Sequence, residues 1–144
     1  NDGPPCNNTL DPFTEMKQAS VLQKVDKLDP TVAAMEDIFE MATINGARAA
    51  GFDRLGELKP GWRADIIGLS TDNTRGTPLY DVLSYLVFAA RGHDVEFTMV
   101  DGNILMENGT VTVADAERIR RSATEVARSL DISDARADAQ DQKP

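Results

Sequence analysis

Apolar side chains recur at helical spacing in the first third of the chain, and the pattern predicts two helices there. The first covers about residues 11–25, because Asp11 can cap a helix that has Pro12 at its first position. The second covers about residues 33–50, and Asn45-Gly46 predicts an interruption inside it. We therefore expect two helices to follow an irregular N-terminal loop.

Shorter apolar segments in the second half predict strands and two further helices. Strand patterns cover, in order, residues 65–69, 95–99, 104–106 and 110–113. Pro60-Gly61 predicts a type II turn before the first strand, and Asp101-Gly102 predicts a hairpin turn between the second and the third. Helical patterns cover residues 81–91, with Gly92 as the stop, and residues 115–130, with Asp115 as the N-cap. A sheet of three or four short strands has unpaired edges. We therefore expect another part of the same protein or another subunit to complete it.

Composition narrows the class of protein. A chain of 144 residues can bury one ordinary core, and no apolar segment approaches the roughly 20 residues of a membrane helix. The formal charge of -9 disfavours nucleic-acid binding, which depends on clustered Lys and Arg. Cys6 is the only cysteine, which excludes an intrachain disulfide and a Cys-rich zinc site. We expect a cytoplasmic protein that binds neither nucleic acid nor membrane.

The residues themselves leave the chemistry open. Asp2 lies in an Asn-Asp-Gly-Pro loop, where the commonest role of an aspartate is to form a turn. His93 is the only histidine and lies outside any metal-ligand spacing, so we interpret it as a surface or capping residue. Neither residue alone predicts an enzyme.

Several motifs in fixed order together resemble the amidohydrolases, in the branch that holds adenosine-type deaminases, guanine deaminases and triazine hydrolases. The resemblance covers about residues 1–130, and its most specific motifs are NDGPPCNN, MATINGARAAG and GELKPGWRADI. Each motif alone is weak. Their combination identifies the superfamily and leaves the substrate open.

The resemblance implies an α/β fold: the C-terminal end of a distorted (β/α)8 barrel plus the C-terminal half of a small β-sandwich. Residues 1–54 would then hold the end of the last barrel strand and the terminal barrel helices, and residues 78–92 a helix packed on the barrel. Residues 55–70 and 94–113 would be sandwich strands, 115–130 a C-terminal helix and 131–144 a loose tail.

The same resemblance gives Asp2 a role. In this family one divalent metal, zinc or iron, is held by histidines and this aspartate, and it activates a water that attacks the carbon bearing the amine. For the intact enzyme we expect zinc rather than iron. Asp2 would be both a metal ligand and the catalytic proton acceptor. The implied reaction is hydrolysis of a C–N bond other than a peptide bond, by deamination of a purine-like or other amino-heterocycle.

Three neighbours of Asp2 are candidates for lining the substrate pocket. Cys6 fills that role or is a small buried thiol that packs the loop, and we favour the buried thiol. Asn7 and Asn8 contact the substrate or tie the loop to the first helix, and we favour the tie because Asn readily satisfies local backbone groups.

The family's histidines and glutamate from earlier strands have no counterpart in this chain, and a catalytic zinc usually needs three protein ligands. We therefore expect a fragment that is inactive alone, retains no metal, needs the upstream part of the barrel as its partner, and belongs to a homo-oligomer. The alternatives are a non-catalytic β-sandwich module that binds or assembles, and a heteroaromatic chlorohydrolase.

Overall fold

The computed structural model describes Gly3 and residues 6–130. Its contacts divide the chain into two compact units, residues 1–110 and residues 111–144. The described part is an α/β chain with a small antiparallel sheet. No helix among the described residues is both long and apolar enough to cross a membrane.

The first unit begins with three helices: α1 is Pro12–Lys27, α2 is Met35–Ala42 and α3 is Ile44–Ala49. Helix α1 confirms the first helical prediction, including the cap, because the Asp11 carboxylate accepts a hydrogen bond from the Phe13 amide.

The second prediction, a helix over 33–50, is right in type and wrong about where the helix breaks. The backbone leaves helical geometry at Thr43, with φ -121° and ψ -100°, and not at Asn45-Gly46. The Thr43 hydroxyl donates to the Phe39 carbonyl at 2.7 Å, which satisfies an acceptor at the end of α2. Gly46 continues within α3.

A tight turn connects the helices to the sheet. Pro60 and Gly61 occupy its centre, Gly61 has φ +81°, and the Trp62 amide donates to the Lys59 carbonyl at 3.0 Å. This is the type II turn that the sequence predicts. Strand β1, Ile66–Leu69, follows it.

The next helical segment, predicted over 81–91, is shorter than expected. Helix α4, Val82–Ser84, continues as a π-helical turn over Tyr85–Ala89, in which the Ala90 amide donates to the Tyr85 carbonyl at 2.8 Å. Gly92 does not end this helix. It begins a separate 3-10 turn, Gly92–Asp94.

The sheet has four strands in the order β1-β2-β3-β4. Strand β2 is Val95–Val100, β3 is Asn103–Glu107 and β4 is Thr110–Val111. Strand β2 pairs antiparallel with both β1 and β3, and Asp101 and Gly102 form the hairpin turn with positive φ angles of 49° and 79°. The predicted strands and hairpin are confirmed, although β4 is two residues shorter than predicted.

The core of the first unit lies between the helices and the start of the sheet. Its buried apolar side chains are Phe13, Met16, Ile38, Tyr85, Val87 and Ala90. Ser20 is also fully buried, and its hydroxyl donates to the Ala33 carbonyl at 2.9 Å. This bond ties α1 to the connection that leads into α2.

In the second unit, helix α5 covers Ala116–Ser129, and the Asp115 carboxylate accepts from the Arg118 amide at 2.9 Å. This confirms both the predicted helix and its cap. Its large apolar side chains are exposed within the described residues: Ile119, Val126 and Leu130. The predicted tail, residues 131–144, lies outside the described residues.

We expect Gly56→Ala to destabilise the fold strongly. Gly56 has φ +91°, and a Cβ at this position would lie 2.6 Å from the Ile44 Cα, in the first turn of α3. Gly61→Ala is the matched control, because Gly61 also has a positive φ but has nothing within 4 Å. Urea denaturation should show a loss of about 1 kcal/mol for Gly61→Ala and clearly more for Gly56→Ala. Equal losses would contradict a backbone clash at Gly56.

Candidate functional site

The loop that precedes α1 is closed by backbone hydrogen bonds to Gly3. The Gly3 carbonyl accepts from the Cys6 amide at 2.9 Å and from the Asn7 amide at 3.0 Å. Gly3 is the residue next to Asp2 in the sequence. Asp2 itself, together with Asn1, Pro4 and Pro5, lies outside the described residues.

Asn7 connects this turn to the rest of the loop and to the first helix. Its Oδ1 accepts from the Thr9 amide at 3.1 Å and from the Thr9 hydroxyl at 2.9 Å. Its Nδ2 donates to Oε1 of Glu15, which is in the first turn of α1. For Asn7, the contacts match the interpretation that the side chain ties the loop to the helix.

Cys6 and Asn8, the other two candidates, are exposed in the described structure. The interpretation of Cys6 as a buried thiol is therefore wrong here. The physical reason is its place at the surface of the turn that closes on Gly3, where the backbone hydrogen bonds and not the thiol hold the loop. Whether Cys6, Asn7 or Asn8 lines a substrate pocket stays a prediction.

The end of the loop is anchored at the N-terminus of α1. The Asp11 carboxylate accepts from the Phe13 amide at 3.0 Å and from the Thr14 hydroxyl at 3.1 Å. Leu10, immediately before it, has φ +46°, in the left-handed region that is costly for a residue with a side chain. The loop therefore enters the helix with a defined and strained geometry.

A buried aspartate that sequence reasoning missed organises a second polar cluster. Asp94 is 5% exposed and accepts from the Arg91 amide at 2.9 Å and from the Tyr85 hydroxyl at 3.1 Å. Its other oxygen accepts from the Arg75 guanidinium at 2.5 Å. The Tyr85 hydroxyl also accepts from the Asn73 amide group at 3.0 Å. Asp94 thus joins the 70–76 loop, the π-helical turn and the start of β2.

These partners change the pKa of Asp94. Burial alone would raise the pKa of this carboxyl, but the Arg91 amide, the Tyr85 hydroxyl and the Arg75 charge outweigh burial and lower the pKa below its ordinary value of 3.8. Asp94 is therefore a carboxylate in the folded protein at neutral pH. Its contacts describe a structural role, since all of its partners belong to the fold.

His93 lies beside this cluster and remains at the surface, as predicted. Its side chain is 71% exposed, and its Nε2 lies 3.2 Å from an Arg75 nitrogen and 3.5 Å from an Asp94 oxygen. Within the described part of the chain, no three or more His, Cys, Asp or Glu side chains come together as a metal site.

A third group of polar contacts joins the segment before β1 to the hairpin turn between β2 and β3. The Asp65 carboxylate accepts from the Asp101 amide at 2.7 Å, and the Ala64 carbonyl accepts from the Gly102 amide at 3.1 Å. The segment before β1 therefore holds the hairpin turn between β2 and β3.

The chain is similar to deaminases along most of its length. It is 41% identical over 130 residues to a 5-methylthioadenosine/S-adenosylhomocysteine deaminase of Syntrophomonas wolfei, and 44% identical over 129 residues to a 5'-deoxyadenosine deaminase of Methanosarcina acetivorans. Each match covers 90% of this chain and 30% of the relative. The chain thus spans about a third of the length of the curated relatives it matches.

Solved structures of related enzymes are also similar to this chain. An adenosine deaminase from Xanthomonas campestris with bound zinc matches with a TM-score of 0.86 and 31% identity, over 90% of this chain and 30% of that one. A zinc complex of atrazine chlorohydrolase from Arthrobacter aurescens matches with a TM-score of 0.70 over 78% of this chain and 25% of that one. Its 24% identity supports the fold alone.

A family model covers most of the chain. The model of the amidohydrolase family matches residues 1–105, which include the N-terminal loop, the helices, β1, β2 and most of β3. This range contains every motif on which the sequence resemblance rests. The chain belongs to the amidohydrolase family.

Proposed function

We propose that this chain is the C-terminal part of a longer metal-dependent aminohydrolase that deaminates a purine-like heterocycle. The observation that carries the proposal is the similarity to enzymes named as deaminases of adenosine derivatives, which extends over nine tenths of the chain. Amidohydrolase membership supports hydrolysis of a C–N bond other than a peptide bond. Within this proposal, the substrate is an adenosine derivative.

In the longer protein, residues 1–54 would end the (β/α)8 barrel and residues 78–92 would pack on it. Residues 55–70 and 94–113 would form the C-terminal half of a small β-sandwich, and 115–130 a C-terminal helix. The small antiparallel sheet supports the sandwich assignment, because β1 and β4 are its edges in the described part and edges of this kind need a partner.

Helix α1 supports the barrel assignment, because it has two apolar faces and buries only one of them. Phe13 and Met16 lie in the core. A second apolar group on the helix is exposed, formed by Val21, Leu22 and Val25, and Leu28 at the C-cap is exposed too. Such a contiguous apolar surface is typical of an interface, and the upstream barrel segment is the occupant that we propose.

Asp2 carries the chemistry in this proposal. The active sites of (β/α)8 barrels form at the C-terminal ends of the strands, and an aspartate at the end of the last strand reaches that site. Its carboxylate is an oxygen donor of a kind that zinc binds. We assign it two roles: to hold the metal and to accept the proton of the attacking water.

The described residues do not form a zinc site by themselves. The Asn7 side chain is occupied by Thr9 and Glu15, and His93 contacts Arg75 and Asp94. The remaining zinc donors would therefore come from the upstream segment, with Asp2 as this chain's contribution. When bound, the metal supplies Lewis-acid activation of water near neutral pH. Iron in place of zinc stays an alternative.

The experiment is a substrate comparison with the longer polypeptide, purified with its metal. We expect hydrolysis of 5'-deoxyadenosine or methylthioadenosine with release of ammonia, and slower or undetectable turnover of guanine and of chlorotriazines. Preferential release of chloride from a triazine would instead establish the chlorohydrolase. A protein without bound metal and without turnover would favour the non-catalytic binding module.

Three broader expectations belong to the same proposal. A (β/α)8 enzyme requires a reading frame that extends roughly 300 residues upstream of this chain, if the barrel has the usual size. Size-exclusion chromatography of that product tests the predicted homo-oligomer, and cell fractionation tests the cytoplasmic location.

A further inference from the structure

The hydrogen bond between Asn7 and Glu15 joins the loop after Asp2 to the first helix. We propose that Asn7 and Glu15 are a positioning pair that anchors the turn next to Asp2, the place from which the chain carries Asp2 into the metal site. This inference rests on the proposed function. Neither residue needs to touch the metal or the substrate for the pair to act.

Asn7 uses every polar group of its side chain within the protein. Its Oδ1 accepts twice from Thr9, and its Nδ2 donates to Glu15. Its backbone amide donates to the Gly3 carbonyl. One residue therefore connects the start of the loop, the middle of the loop and the helix, which is more than a turn alone requires.

Glu15 is a firm attachment point because of its neighbours on α1. Phe13, two residues before Glu15, and Met16, directly after it, are both buried in the core. The Asp11 cap holds the first turn of the same helix. The hydrogen bond to Glu15 therefore attaches the loop to a helix that the core holds in place.

The attachment reaches Asp2 through Gly3. The Gly3 carbonyl is held by two amides, one of them from Asn7. Adjacent Cα atoms are about 3.8 Å apart, so anchoring Gly3 limits how far the chain can carry Asp2 from this turn. Functional sites need their groups held within about 0.5 Å and 10–20°, which a loop without this attachment would not provide.

The pair should affect metal binding and turnover more than substrate affinity. Residues that orient metal ligands through hydrogen bonds typically change metal affinity or activity by about 10–100-fold when they are replaced. Substrate contacts should stay intact because the replaced groups face Thr9 and Glu15. A purely structural role would lower thermal stability without changing the rate of metal release.

The test uses an exchange of hydrogen-bonding groups in the longer polypeptide. Asn7→Asp keeps the oxygen that accepts from Thr9 but removes the Nδ2 donor and sets a carboxylate against Glu15. Glu15→Gln retains an acceptor oxygen and adds an amide donor. In the double variant, that amide can donate to the carboxylate introduced by Asn7→Asp, so the bond re-forms with its direction reversed.

Zinc release to a chelating dye is the primary measurement, followed by kcat, KM and the thermal midpoint. We expect Asn7→Asp to speed zinc release and lower kcat by about 10–100-fold with little change in KM. Glu15→Gln alone should remain close to the unmodified protein, and in the double variant it should restore most of the loss. Asn45→Ala is the control, because Asn45 is exposed on α3.

Glu15→Ala is the second route if Asn7→Asp does not fold, and it should speed zinc release in the same direction. Unchanged zinc release in the variants, or a double variant no better than Asn7→Asp, would overturn the positioning pair while leaving the proposed function intact. An unmodified longer polypeptide without zinc and without deamination would overturn both.

Discussion

Replacing Asp2 by alanine in the longer polypeptide is expected to abolish detectable turnover and to weaken zinc binding. The substitution removes a metal ligand and a proton acceptor together. General-base catalysis alone contributes about 10²–10⁴-fold, so kcat should fall by at least that factor. Steady-state assays with 5'-deoxyadenosine and zinc analysis after dialysis measure the two effects.

Two further variants separate these roles. Asp2→Asn keeps an oxygen that can face the metal but cannot accept a proton, so we expect it to retain more zinc than Asp2→Ala while remaining inactive. Asp53→Ala is the control, since Asp53 is exposed after α3 and makes no ion pair within the described residues. Full activity in Asp2→Ala would remove the role assigned to this residue.

Replacing Asp94 by alanine is expected to cause a large loss of stability. The change leaves the Tyr85 hydroxyl, the Arg91 amide and the Arg75 guanidinium without their shared acceptor. Buried donors that lose a partner cost about 1–3 kcal/mol, and Arg75 is partly exposed, so we expect a loss of about 2–3 kcal/mol in total. Urea denaturation measures it.

Asp72→Ala is the matched control for this substitution. Asp72 lies in the same 70–76 loop, its side chain is exposed, and only its backbone amide makes a hydrogen bond, to the Ser70 hydroxyl. It should change the unfolding free energy by less than about 0.5 kcal/mol. Equal losses at Asp72 and Asp94 would contradict the view that Asp94 organises the cluster.

The lowered pKa of Asp94 also predicts how this stability depends on pH. The unfolded chain binds a proton at Asp94 more readily than the folded protein does, so the stabilisation is fully present above the ordinary pKa of 3.8. It is lost as the pH falls through the lower, folded pKa. The stability difference between the unmodified protein and Asp94→Asn should therefore be constant from pH 7 to about pH 5 and shrink below about pH 4. A difference that already shrinks near pH 6 would contradict this.

The elements that local sequence signals define were predictable. The Asp11 and Asp115 caps, the Pro60-Gly61 turn and the Asp101-Gly102 hairpin all depend on residues within four positions of one another. Such signals act through the same short-range hydrogen bonds and φ preferences in any fold. The starts of the helices and strands were predicted more accurately than their ends.

The features that the sequence did not reveal depend on distant partners. Asp94 contacts Arg75, which is 19 residues away, and no spacing rule links the two. The one available signal was an aspartate between Gly92-His93 and an apolar strand, which is also common in solvated turns. The break at Thr43 was missed for a similar reason: the Asn45-Gly46 pair is the stronger local signal, but Gly56 packs against Thr43 and Ile44.

The catalytic assignment has a different basis from the fold. No contact among the described residues requires Asp2 to bind a metal, and the role comes from the family to which the motifs lead. The structure adds the hydrogen-bonded turn at Gly3 and its attachment through Asn7 to Glu15. These contacts anchor the residue that follows Asp2 in the sequence.

Anomalous diffraction at the zinc absorption edge, from crystals of the longer polypeptide, tests the central claim most directly. The account predicts one zinc peak with an Asp2 carboxylate oxygen at about 2.0–2.2 Å and histidine nitrogens from the upstream segment at about 2.0–2.1 Å. A zinc peak whose ligands do not include Asp2 would contradict the account.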